Sequence, residues 1–314
     1  MIGWFAAISD LRKKSIPTLR RPILLTTALF LVLLSACSGK PLVPADTSRL
    51  AAQDQTASPT VQPAQPLVPP TPTPAAGSTA LAAAADWKSW PVLPVVSPEL
   101  KTLYQSGLEK GNDPHAFSIL GDCQSVPEVF LGVYDRDPLL VAELSEHLQE
   151  TVLNFSGSFD RYSPTVKEAA TTGALLWGEW NDNLEKLCEP GETPLDCELR
   201  VHRPSIVIVH IGTHWETRNY RYLTIIIEKI LKQGAVPLLV TKADNRELDE
   251  RVNQDIANLA AEFDLPVWNF WAAVQHLPND GIYLESTWEL SDQAKQIHRL
   301  SALEALDAVW RALQ

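Results

Sequence analysis

From Trp87 onward, short unbroken apolar runs alternate with longer stretches whose apolar residues recur every three or four positions. Ala116 to Leu120, halted by Gly121-Asp122, reads as a buried strand, and Ser205–Ile211 (Ser-Ile-Val-Ile-Val-His-Ile) is the clearest case of one. Ala235–Val240 and Pro266–Phe270 read the same way, and Thr151–Phe155 is expected to be the second strand in chain order. Between them, Pro138–Glu150 has helical spacing through Leu139, Leu140, Ala142, Leu144 and Leu148. Pro164–Thr172 reads as a helix with Ser163 as N-cap and Pro164 at its first position. Asn219–Gln233 is a helix carrying Leu223, Ile226, Ile227, Ile230 and Leu231, stopped by Gly234. Glu247–Phe263 and the amphipathic Leu300–Leu313 complete the set. Alternation of this kind predicts an α/β fold, a three-layer α/β/α sandwich around a mostly parallel sheet of about five strands.

The first 85 residues follow different rules. Arg12, Lys13, Lys14, Arg20 and Arg21 precede an apolar run from Pro22 to Leu34, too short for a bilayer span of ~20 residues and suited to the core of a signal peptide. The run ends in Leu34-Ser35-Ala36-Cys37, which resembles the bacterial lipobox. That resemblance implies a signal peptide over 1–36, cleavage before Cys37, and a diacylglycerol on its thiol. A plain secretory signal or an uncleaved anchor is the competing reading. Residues 37–85 hold no aromatic side chain and are rich in Pro, Ala, Thr, Ser and Gln. They are expected to form a disordered tether, at ~3 Å per residue where extended, leaving 86–314 as the folded domain.

A net charge of −12 argues against nucleic acid as a partner. Cys188 and Cys197 bracket an eight-residue polar loop, which in an exported protein reads as a disulfide. The rival, a zinc half-site, lacks a second pair of soft ligands. With Cys37 lipidated and the pair bridged, Cys123 is the one free thiol. Thr241-Lys242-Ala243-Asp244 mimics a guanine-recognition motif, but no Gly-x-x-x-x-Gly-Lys-Ser/Thr loop accompanies it. No cofactor and no metal are expected.

Asp122 and Cys123 follow the first strand directly, at the edge where open α/β sheets place ligands. Gly121-Asp122-Cys123 resembles block I of the SGNH (GDSL) hydrolases, in which Gly-Asp-Ser carries the nucleophile. The resemblance extends over roughly residues 116–310. Gly157 or Ser158 would supply the block II oxyanion donor. Gly212-Thr213-His214 stands where the family has Gly-Thr-Asn, and Asp280-Gly-Ile-Tyr283 where it has Asp-x-x-His. The resemblance implies a flavodoxin-like sheet, with Asp122, Cys123, Gly157, His214 and Asp280 gathered at its carboxyl edge. Cys, His and Tyr replace the family's Ser, Asn and His, so the chemistry implied is that of a Cys123–His214 dyad. His298 is a second candidate base, and a helix field after Cys123 would favour its thiolate. A cysteine at a strand end also serves as a small buried apolar residue, and Asp122 as a helix cap.

Two functions follow as expectations. One is a membrane-anchored, exported lipoprotein with an esterase-like domain hydrolysing acyl esters, on envelope or extracellular glycans. The alternative is a catalytically degenerate member of the fold that binds or scaffolds. Trp177, Trp180, Trp215, Trp268, Trp271 and Trp288 are expected in the core or a lid, or stacking on sugar rings.

Overall fold

The computed structural model describes residues 83–314. The signal peptide, Cys37 and the tether up to residue 82 lie outside the described residues. Order begins with a 3-10 helix over Ala84–Ser89, whose Ala84 carbonyl accepts a bond from Gln254 Nε2 at 3.1 Å.

Four parallel strands form one sheet in chain order: β1 (Asp113–Gly121), β2 (Pro204–His210), β3 (Val236–Val240) and β4 (Val267–Trp268). Every residue of β2 and β3 is buried, as expected for strands covered on both faces. Helices α1 (Glu99–Glu109), α2 (Val133–Arg136), α3 (Pro138–Ala142), α4 (Glu146–Asn154) and α5 (Pro194–His202) come before or between β1 and β2. Then α6 (Asn219–Gln233), α7 (Arg251–Phe263), α8 (Phe270–Val274) and α9 (Asp292–Leu313) alternate with or follow the later strands. The helices fall into two packing groups: α1, α4 and α8 against α9, and α5 and α7 against α6.

Several expectations need correction. Thr151–Phe155 is not a strand; Thr151 to Asn154 are the last turn of α4. Leu148, Thr151, Val152 and Phe155 are buried while Leu153 is exposed, a helical spacing that β-branched composition disguised. The expected helix Pro138–Glu150 is two helices, broken at Ser145, whose backbone is extended. Pro164–Thr172 is not helical. Val166 makes a single parallel bridge to Gly121, with Gly121 N donating to Thr165 O and Lys167 N to Gly121 O. Ser163 Oγ bonds Thr165 and Glu198 instead of capping. The sheet therefore has four strands, and this bridge occupies the place beside β1 where a fifth was expected. The final helix starts at Asp292, not Leu300, because Ser291 Oγ caps it by accepting from Ala294 N.

The bridge decides where the site is. The chain leaves β1, returns on one side of it at Val166, and then crosses to β2 on the other side. That reversal is a topological switch point, and it opens a crevice at the carboxyl end of β1.

Candidate active site

Gly121 ends β1 where the backbone must pass close to Ser125: a Cβ at residue 121 would lie 2.2 Å from Ser125 Oγ. Ser125 N closes a turn on Asp122 O at 2.9 Å, and Ser125 Oγ sits 2.8 Å from His210 Nδ1 at the end of β2. Asp122 is buried in this turn, and its carboxylate accepts from Gln124 N (3.3 Å), Gly212 N (3.3 Å) and Thr213 N (3.0 Å). One carboxylate thus ties the loop after β1 to the loop after β2. Burial holds its pKa above the ordinary carboxylate value, the amide donors opposing. Asp122 caps no helix; the first one downstream is α2 at Val133.

The tie presents Cys123 to the crevice, half-buried, with Sγ 4.0 Å from His214 Nδ1. The backbone amides of Ala169 and of Cys123 itself lie near the thiol and act to lower its pKa. Ala169 has a positive φ of 61°, just beyond the Val166 bridge, so the switch point itself supplies this donor. Amides converging where negative charge develops are what acyl transfer needs. At rest, however, burial pushes the thiol's pKa up, and the Asp122 and Glu168 carboxylates add to the rise. No helix begins at Cys123, so the field expected to favour a thiolate is missing.

A cavity of about 170 Å³ adjoins the sulfur, with Val126, Val129, Leu290 and Trp288 along its walls and Glu168, Glu289 and Lys295 among its polar groups. Gln124 Nε2 donates to Trp288 O at 2.7 Å and fastens the cavity wall to the loop after β1. Its floor includes His298, buried and stacked on Phe130 with centroids 4.2 Å apart. Desolvation holds the His298 pKa well below the imidazole value, so it stays neutral.

Of the expected cluster, Asp122, Cys123 and His214 are brought together. Gly157 and Ser158 are not with them, because the segment before them is α4 and not a strand. The Gly157 amide donates to Asp135 Oδ1 at 3.0 Å, and neighbouring Phe155 and Phe159 pack on Phe117 inside β1. Asp280 sits in the turn Pro278–Gly281 and lines a second, adjacent cleft instead of the Cys123 cavity. The Tyr283 hydroxyl lies near the Asp292 carboxylate, which raises its pKa, and its ring lies 5.2 Å from Lys295 Nζ, outside the cavity lining. Cys188 and Cys197 form the disulfide. Lys242 is buried between Asp244 (2.8 Å) and Glu247 (2.5 Å), a structural ion cluster.

Sequence reading missed Glu168, Ala169 and Glu289, and named Trp288 only among the tryptophans of the core, a lid or a sugar-stacking wall. A signal for Trp288 and Glu289 at this site was present: the Ser291 cap starts α9 and puts the residues just before it at the sheet edge. Nothing in the sequence marks Ala169.

No family model and no curated protein matches this sequence. Some solved structures align with part of this chain. A GDSL-like lipase from Bacteroides thetaiotaomicron aligns at 10% identity and TM-score 0.39, over 67% of this chain and 98% of that one. An α/β hydrolase from a Lake Arreo metagenome aligns at 14% and 0.41, over 64% and 98%. A putative acylhydrolase from Bacteroides fragilis aligns at 11% and 0.40, over 68% and 98%.

Proposed function

We propose that the domain is an acyl-ester hydrolase with Cys123 as nucleophile and His214 as general base. In this reading the chain is exported and held at the extracytoplasmic face of a bacterial membrane by a lipid on Cys37, for which Leu34-Ser35-Ala36-Cys37 is the support. The observation that carries the chemistry is the 4.0 Å approach of Sγ to Nδ1 at the switch point of the sheet. Apo distances of this kind shorten when substrate is bound. The alcohol portion of the ester is a glycan hydroxyl, in an envelope or extracellular polysaccharide.

His214 takes the thiol proton as sulfur attacks the ester carbonyl, and a C–S bond forms. Negative charge moves onto the carbonyl oxygen, towards the Cys123 and Ala169 amides. Collapse breaks the C–O bond, and the alcohol leaves with the proton from His214. Water, deprotonated by His214, then cleaves the thioester to carboxylic acid and free thiol. Because the thiol's pKa is raised, the thiol rests protonated and its proton moves only during attack.

The test is acylation. The full chain, treated with p-nitrophenyl butyrate, should carry a butyryl group on Cys123 by peptide mass spectrometry. His214→Ala should slow its formation about 10²-fold, within the range of general-base contributions. Equal turnover by Cys123→Ala would overturn the proposal. A second reading, a binding protein on a degenerate hydrolase fold, is favoured by one observation. Burial and two nearby carboxylates keep the thiol protonated, and among the described residues no carboxylate bonds the His214 ring. A wild-type chain inert towards both the ester and iodoacetamide would support it.

A further inference from the structure

Beside the Cys123 cavity lies a larger, open cleft of about 390 Å³ that the chemistry above does not use. Its size falls in the range of small-molecule sites. The loop after β3 supplies Asp244, Asn245 and Arg246, and α8 with the residue after it supplies Trp271 and Gln275. The turn after α8 supplies Asp280, so the whole cleft is built at the carboxyl edge of β3 and β4.

Three features distinguish it from a surface groove. First, it has an aromatic wall held in place: Trp271 contacts Trp87 edge-on at 5.0 Å, and Lys88 Nζ lies 5.2 Å from its ring centroid. Second, Gln275 Nε2 is buried without a hydrogen-bond partner. Leaving such a donor unmet costs free energy, which rotation of the Gln275 amide towards a ligand hydroxyl in the cleft would recover. Third, Asn279, Asp280 and Gly281 have consecutive positive φ values of 49°, 53° and 79°. Two non-glycine residues in that region store strain, which accumulates where a side chain must be aimed.

The charges decide the class of ligand. Asp244 is paired with Lys242 and Glu250 with Lys88, which leaves Asp280 and Arg246 as one charge of each sign on the lining, so the cleft offers no net attraction to an anion. An aromatic wall surrounded by amide donors and carboxylate acceptors suits a molecule with an apolar face and a rim of hydroxyls. We propose that this cleft binds a short stretch of neutral glycan. Thr213 connects it to the dyad: its Oγ1 donates to Asp244 at 3.0 Å, its carbonyl accepts from Arg246 at 3.0 Å, and His214 is the next residue. On the hydrolase reading, on which only this clause rests, the cleft holds the sugar that carries the ester.

The experiment uses the full chain in a sugar-free zwitterionic detergent. Binding of maltotriose, triacetylchitotriose and trigalacturonate is measured by saturation-transfer NMR and calorimetry. At least one neutral trisaccharide should bind, and trigalacturonate at least 10-fold more weakly. Thr287→Trp, at an exposed position on the cleft, should reduce affinity at least 10-fold, and Gln275→Leu at least 3-fold. Cys123→Ser should leave affinity within 2-fold, so a failure of ester hydrolysis would not touch this result. Absence of binding by both neutral sugars, undiminished binding in Thr287→Trp, or equal binding of trigalacturonate would each overturn the proposal.

Discussion

Replacing Asp122 by Ala should loosen the join between the first two strand ends and change Cys123 at the same time. The carboxylate accepts from three backbone amides, at 3.0, 3.3 and 3.3 Å, and it is buried. Ala leaves all three donors unmet, at ~1–3 kcal/mol each. The two longer bonds place those amides near the lower limit, so a loss of about 3–4 kcal/mol is expected. At an m-value of about 3 kcal/mol/M, the urea midpoint falls by roughly 1 M. The pH dependence has a definite sign. Burial raises the native pKa of Asp122 above its unfolded value of about 3.9, so the native state holds the proton more tightly. The wild-type contribution is then fully present below the unfolded pKa and declines as pH rises through the raised native one. The wild-type advantage over Asp122→Ala should therefore be larger at pH 3.5 than at pH 7. Removing the charge should also lower the thiol's pKa, since Asp122 is among the groups that raise it. Iodoacetamide should then modify Cys123 faster at pH 7 in the variant. Urea midpoints and alkylation rates both equal to those of the wild type would refute this account of Asp122.

Other outcomes are equally direct. Glu168→Gln, at an exposed position, should speed alkylation of Cys123 near neutral pH and leave the urea midpoint unchanged, because only a thiol-raising charge is lost; an unchanged alkylation pH profile would count against it. Cys197→Ser opens a loop of sequence separation 9 and should cost about 2–3 kcal/mol on the chain-entropy estimate, read as a lower unfolding midpoint. Phe117→Ala removes a fully buried ring that contacts Phe155 and Phe159, and should cost about 3–5 kcal/mol in chemical unfolding. Tyr283→His combined with Cys123→Ser should not create esterase activity, because residue 283 faces Asp292 and not the Cys123 cavity. Ester turnover by that double variant would show the placement of Tyr283 to be wrong.

What the sequence by itself determined was whatever local periodicity can encode. Ser205–Ile211 and Ala235–Val240 are apolar on both faces, which only a covered parallel strand tolerates, and they fold within a residue of the expected bounds. Asn219–Gln233 combines a 3.6-residue stripe with a glycine stop and matches its helix residue for residue. Gly121-Asp122-Cys123 was legible as a strand end facing a crevice for the same reason. Between residues 138 and 172 local signals conflict: Thr151 to Phe155 has strand composition but helical burial, and Ser163-Pro164 has the form of a helix start. Tertiary pairing settled both, by packing Leu148, Thr151 and Val152 inward and by drawing Val166 onto Gly121. That one long-range bridge moved the amide donor beside Cys123 from Gly157 to Ala169. The thiol's state was likewise undecidable from the chain alone. It depends on burial and on Asp122 and Glu168, and Glu168, some 45 residues downstream by sequence numbering, becomes a neighbour only when the crevice closes around the sulfur.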